Sequence, residues 1–144
     1  MKKSVVFLVI VVLMAFMVDT ALAAKAKCPQ KRKTKKAPSS LYKKDMTSKA
    51  DAAAGKKIYD KTAKPMACKM CHGDKGDGMG KLGMALTPKP RNFTCKKTMK
   101  KVTPGQMFFI IQKGSKGTGM VPQKTLKDKD IWNVIKYIQT KFMK

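Results

Sequence analysis

Residues 68–72 read Cys68-Lys69-Met70-Cys71-His72, and no other stretch of this chain restricts its fold so strongly. Two cysteines three apart lie on one face of a helical turn, so both thiols point to the same side. C-x-x-C-H is the pattern through which a haem is attached covalently. The thiols bond the two vinyl groups of one porphyrin, and the imidazole takes the iron as its proximal ligand. Two other chemistries share the C-x-x-C spacing. A thioredoxin-like redox pair belongs at a helix start in a strand–helix–strand unit, and no such alternation is visible here. A four-ligand zinc site would have to recruit Cys28, Cys95 or distant carboxylates. The expectation is one haem c, held by Cys68, Cys71 and His72. There is one such pentad, and His72 is the only histidine of the chain, so a second imidazole ligand from the same chain is excluded.

The amino end bears on the compartment. Met1-Lys2-Lys3-Ser4 is a short basic start, Val5 to Val18 is an unbroken apolar run, and Ala21-Leu22-Ala23 is a small-residue cleavage signal. That order reads as a secretory signal peptide over residues 1–24. The apolar run is shorter than the roughly 20 residues that a membrane span needs, although retention as an anchor stays open. An exported product is expected, in the periplasm or an equivalent compartment, as one small domain.

The charge narrows the partners. Thirty-three Lys and Arg face 8 acidic residues, all Asp, for a net charge of +25. A field of that sign implies acidic partner proteins or an anionic membrane surface. Export argues against nucleic acid. Residues 25–49 concentrate the charge: basic side chains are dense, Asp45 is the sole acid, and Pro29, Pro38, Ser39 and Ser40 are interspersed. Low apolar content and like charge predict a mobile arm. It either docks on an acidic surface or is simply a solvated tail.

The rest, residues 50–144, reads as helices without a convincing strand and without internal repeats. Ser48-Lys49-Ala50-Asp51 resembles a capping box, with Asp in place of Glu, opening a helix through Ala52 to Tyr59. Gly55 and Tyr59 share a face of it, which suits close approach of a second helix; Pro65 ends it. Gly73 to Lys81 fits neither a phosphate loop nor a calcium loop, and reads as a flexible loop around the haem edge. Leu86 to Thr94 is held extended by Pro88 and Pro90. A carbonyl of this stretch is placed to accept the His72 Nδ1 proton. Arg91 either pairs with a haem propionate or is one more surface cation. Thr103-Pro104-Gly105-Gln106 is a good helix start, and Gly114 a stop. In Gly117-Thr118-Gly119-Met120-Val121-Pro122 a methionine stands in a stiff turn. This placement suits a thioether presented to a metal better than core filler. Met66, Met70, Met79, Met84, Met99 and Met107 read as core or pocket filler. Ile131, Val134, Ile135, Ile138 and Phe142 give helical spacing from Asp128 to about Lys141, a helix expected to cross the first one at Gly55.

On the attachment pentad, the Leu86 to Thr94 stretch, the Gly117 to Pro122 loop and the closing helix with Ile131-Trp132 and Tyr137-Ile138, the chain resembles the class I c-type cytochromes. The resemblance covers residues 50–143. It implies an all-α domain whose amino- and carboxy-terminal helices cross, with the haem in a crevice. It makes Met120 the second axial ligand opposite His72, so that the metal ligands are His72 and Met120. The implied function is one-electron transfer between larger redox proteins, with no enzymatic chemistry of its own, transient docking and no stable oligomer. Cys28 and Cys95 depart from the family pattern. They either form a disulfide, which export permits, or leave Cys95 to approach the iron as a thiolate. A second reading is a haem subunit or small-ligand sensor whose distal site is exchangeable or held by cysteine. A third, a basic surface-binding protein with C-x-x-C as a plain thiol pair, predicts a colourless product.

Overall fold

The computed structural model describes residues 27–30 and 34–144. The signal-peptide expectation for residues 1–24 therefore lies outside the described residues. Among those described, every regular element is helical, as the sequence predicts. Helix α1 spans Ser39–Tyr42, α2 spans Ala52–Lys57, α3 spans Lys69–His72, α4 spans Lys96–Met99, α5 spans Pro104–Lys113 and α6 spans Asp128–Phe142, with 3-10 turns at Thr47–Lys49 and Gly83–Ala85.

Helix α2 begins three residues later than the capping box implies. Ser48 falls in the preceding 3-10 turn, and Asp51 is the cap, its carboxylate accepting from Ala53 N at 2.7 Å and Ala54 N at 3.2 Å. An aspartate directly before the first helical residue reaches two of the orphan donors, which Ser48 does not. The helix then widens into a π turn at Ile58–Thr62. Helix α5 starts as expected: Thr103 Oγ1 accepts from Gln106 N at 3.1 Å, Pro104 follows, and Gly114 closes it. At the head of α6, Asp130 accepts from the Lys127 backbone N–H at 3.2 Å.

Helices α2 and α6 cross, and Gly55 makes the crossing. A Cβ placed on Gly55 would lie 2.0 Å from Asn133 O and 3.0 Å from Tyr137 Cβ, so only hydrogen fits there. Asn133 also accepts from Asp51 N through Oδ1 at 2.8 Å, tying the two helices at the same level. Around this contact lie Tyr59, Ile131, Val134 and Ile135, all fully buried. Burying an aliphatic or aromatic side chain of this kind stabilises by roughly 1.5–3 kcal/mol. Trp132 stacks on Phe108, linking α6 to α5 with centroids 4.7 Å apart.

The expected mobile arm, 25–49, behaves differently where it is described. Cys28 is joined to Cys95 by a disulfide. Ala37 N donates to Gln106 Oε1 at 2.8 Å, Gln106 Nε2 donates to Lys35 O at 3.0 Å, and Thr103 Oγ1 donates to Tyr42 O at 2.7 Å. Helix α1 packs on α5. Like charge alone would favour extension, but backbone groups paired to buried polar side chains hold the segment down. The disulfide also removes the alternative in which Cys95 ligates iron, because its sulfur is bonded to Cys28.

Candidate functional site

The attachment turn is short. Helix α3 has four residues, and Gly73 stops it with φ +80°, a conformation that side-chain-bearing residues rarely adopt. The loop after it does not wrap an open crevice; it folds back over the turn. Gly78 N donates to His72 O at 2.9 Å, Gly80 N to Cys71 O at 3.2 Å and Leu82 N to Met70 O at 2.9 Å. These bonds satisfy the carbonyls that a helix end leaves orphaned. Hydrogen-bonded in this way, residues 73–81 are an ordered cover of the turn where the sequence suggests a flexible loop.

Cys68, Cys71, His72 and Met120 all line one crevice of about 1170 Å³, part of it open to solvent at the mouth. Its walls are predominantly apolar and come from every part of the domain: Met66 before the turn, Phe93 and Met99 in the middle, Ile110 on α5, Val134 and Ile138 on α6. Of the methionines expected as filler, Met66, Met99 and Met107 line it, whereas Met84 is 51% exposed and fills nothing.

His72 is held from two directions. Its Nδ1 lies 3.1 Å from Arg91 O. A carbonyl only accepts, so Nδ1 carries the proton and Nε2 keeps the lone pair that ligates metals. Phe93 stacks on the ring, centroids 4.5 Å apart and planes 15° from parallel. The extended stretch of Leu86 to Thr94 thus supplies the carbonyl expected of it, and Arg91 is the residue. Arg91 borders both the crevice and a neighbouring basic pocket that includes Lys36, Lys97 and Lys101.

Burial governs the titratable groups. It pushes the Cys68 thiol up to about 12 and raises that of Cys71 as well. Both are neutral thiols at neutral pH, unlike the depressed thiolate of a reactive redox pair. The sequence marks Tyr59 only as a helix-packing residue, yet it lines the crevice, and its hydroxyl donates to Gly73 O at 2.7 Å. Burial raises this phenol far above its ordinary range. Among the described residues no group of three or more His, Cys, Asp or Glu could hold a metal ion, and the Cys28 and Cys95 that a zinc site would have recruited are bonded to each other.

The Met120 loop is stiff. Ser115 N donates to Met120 O at 2.8 Å, Met120 N to Thr118 Oγ1 at 3.1 Å and Gln123 N to Ile111 O at 2.9 Å. Gln123 lines the crevice with its Oε1 buried and without a hydrogen-bond partner, an acceptor that a bound group or ordered water would satisfy.

Two thiols and an imidazole at attachment spacing, a thioether on the same apolar crevice and a histidine fixed in its metal-ligating tautomer fit a tethered porphyrin. Fold and site define a small all-helical haem protein. The family model described as Cytochrome c matches residues 52–141, and the chain belongs to the cytochrome c family. Its domain is one for covalently bound haem c and haem-based electron transfer. Among solved structures, the chain is similar to one from the reducing HAO-like protein complex of Kuenenia stuttgartiensis, with 26% identity and a TM-score of 0.52. The match covers 64% of this chain and 43% of that one, so the present chain spans less than half of its length. No curated protein sequence matches.

Proposed function

We propose that the protein is an exported c-type cytochrome carrying a single haem, which passes one electron at a time between larger redox proteins and is not itself an enzyme. The observation that carries this reading is the convergence of Cys68, Cys71, His72 and Met120 on one crevice whose walls are predominantly apolar. When bound, the haem supplies an iron that changes oxidation state by one electron. Everything else is the work of the chain. Cys68 and Cys71 would tether the ring, His72 Nε2 and the Met120 thioether would hold its iron, and the apolar walls would keep water away. The chain's ligand side chains, burial and hydrogen bonding would tune the potential. Neither nucleophile nor general base is required. One attachment pentad and one histidine support a single haem.

Docking follows from charge. Lys75, Lys81, Lys113 and Lys116 are exposed, and the apolar Met66 and Val121 are exposed where they line the crevice mouth. Such a surface suits brief, electrostatically steered encounters with acidic partners, the anionic membrane surface being a second destination for the same charge.

The test is the visible spectrum of the exported protein in both oxidation states, together with its mass. One haem that survives denaturation and extraction, with Met–His ligation, is the expected result. A colourless product with two alkylatable thiols at 68 and 71 would overturn the proposal. The likeness to a chain from a multi-protein complex favours a second reading, a haem subunit with an exchangeable distal site. Ready binding of CO by the reduced protein would select that reading over the shuttle.

A further inference from the structure

Gln30 follows the disulfide-bonded Cys28 by two residues, and both ends of its side-chain amide bond to one spot of the domain. Nε2 donates to Pro90 O at 2.8 Å, and Oε1 accepts from Asn92 N at 2.8 Å, so the two bonds bracket Arg91. The peptide unit joining Arg91 to Asn92 contains both the N–H that Gln30 accepts and the carbonyl that accepts from His72 Nδ1 at 3.1 Å. Imidazole, peptide and carboxamide thus form one continuous hydrogen-bonded line. In such a line each bond polarises the next, strengthening it by about 10–30%. An acceptor on the Asn92 N–H makes the Arg91 oxygen a better acceptor, and that makes the His72 imidazole more basic.

The surroundings give the line its register. Gln30 N donates to Thr98 Oγ1 at 3.2 Å, and the Cys28–Cys95 bond anchors the segment three residues from Asn92. Asn92 is 3% exposed, and its Oδ1 accepts from Thr94 N and Thr94 Oγ1. Phe93 N donates to Gly76 O at 2.7 Å. The peptide that touches His72 is therefore held on both sides, with the basic segment supplying one of them.

We propose that Gln30 is a positioning residue for His72: through the Arg91–Asn92 peptide it strengthens the Nδ1 hydrogen bond and favours ferric iron, and the Cys28–Cys95 disulfide keeps it in place. This rests on the reading that His72 ligates the haem iron.

The experiment uses the haem-loaded protein and two variants, Gln30→Ala and the pair Cys28→Ser with Cys95→Ser. The readouts are the His72 Nδ1–H proton resonance of the ferrous form and the midpoint potential. In Gln30→Ala the resonance moves upfield and exchanges faster with solvent. The ferrous-to-ferric ratio at a fixed applied potential rises about two- to fivefold, below the roughly 10–100-fold that direct outer partners of metal ligands command in affinity or activity. The serine pair shifts both readouts the same way. Gln30→Glu, which keeps an acceptor opposite the Asn92 N–H, restores the resonance. Loss of thermal stability in Gln30→Ala with resonance and potential unmoved would show a mere strut and overturn the inference. An unmoved resonance in the serine pair alone would overturn the disulfide's share. Wild-type protein without covalent haem would instead end the underlying reading before any variant is made.

Discussion

Tyr59 shows how much one side chain contributes to this site. It is fully buried beside Tyr137 and Phe142, and its hydroxyl pins the carbonyl of Gly73 directly after His72. Removing the hydroxyl loses a hydrogen bond and leaves a buried carbonyl unpaired, so Tyr59→Phe should cost about 1–3 kcal/mol at neutral pH, read by denaturant unfolding. The pH dependence has a definite sign. In the unfolded chain the phenol ionises near its ordinary 10.0, whereas burial raises it in the fold. The native contribution is complete below pH 10 and is lost as pH rises beyond it. The stability gap between wild type and Tyr59→Phe should therefore narrow above pH 10; a gap that stays constant to pH 11.5 would mean that the phenol is not desolvated. His72, by contrast, was legible from its neighbours in sequence, because C-x-x-C-H is a local pattern.

At the scale of elements, the crossing of α2 and α6 decides where the crevice can form. Gly55→Ala should improve helix propensity by up to about 1 kcal/mol, yet its methyl group meets Asn133 O at 2.0 Å. Overpacking of this kind costs about 1–3 kcal/mol or more. The net expectation is a lower Tm with the haem retained at low temperature, checked by thermal melts followed through the Soret band. A neutral or stabilising result would mean that the helices slide apart cheaply. The spacing of Ile131, Val134, Ile135 and Ile138 announced α6, and Thr103-Pro104 announced α5, because caps and periodicity are local signals. The cap of α2 was misplaced by three residues, from Ser48 to Asp51, since both residue types cap and only the turn at Thr47–Lys49 selects between them. The short helices α1 and α4 carry no such signals and exist because α5 and the disulfide hold their surroundings.

For the whole molecule the excess of charge dominates. Against a net charge of +25, the ion pairs among the described residues are Lys56–Asp60 and Lys69–Asp74. Both are at the surface and of small value. The fold carries its own repulsion, which salt relieves: the screening length falls from about 30 Å at 0.01 M to about 8 Å at 0.15 M. Thermal stability should therefore rise over that range, while the rate of electron exchange with an acidic partner falls, since the same screening weakens steering. Stopped-flow rates and melting curves in one salt series test both; a rate independent of salt would remove the steering part of the proposal.

Read alone, the chain determined its cofactor chemistry, its helical class and its closing helices, because the pentad, the caps and the 3.6-residue period are each written within a few neighbouring residues. It left open the fates of Cys28 and Cys95, which residue of the Leu86 to Thr94 stretch lends His72 its carbonyl, the burial of Tyr59 and the docking of the basic segment. Each of those joins residues far apart in the chain, Cys28 to Cys95 across 67 positions and Gln30 to Asn92 across 62. A pairing at such distance is chosen by the geometry of the packed domain, where a buried polar group must find whichever partner the fold brings to it.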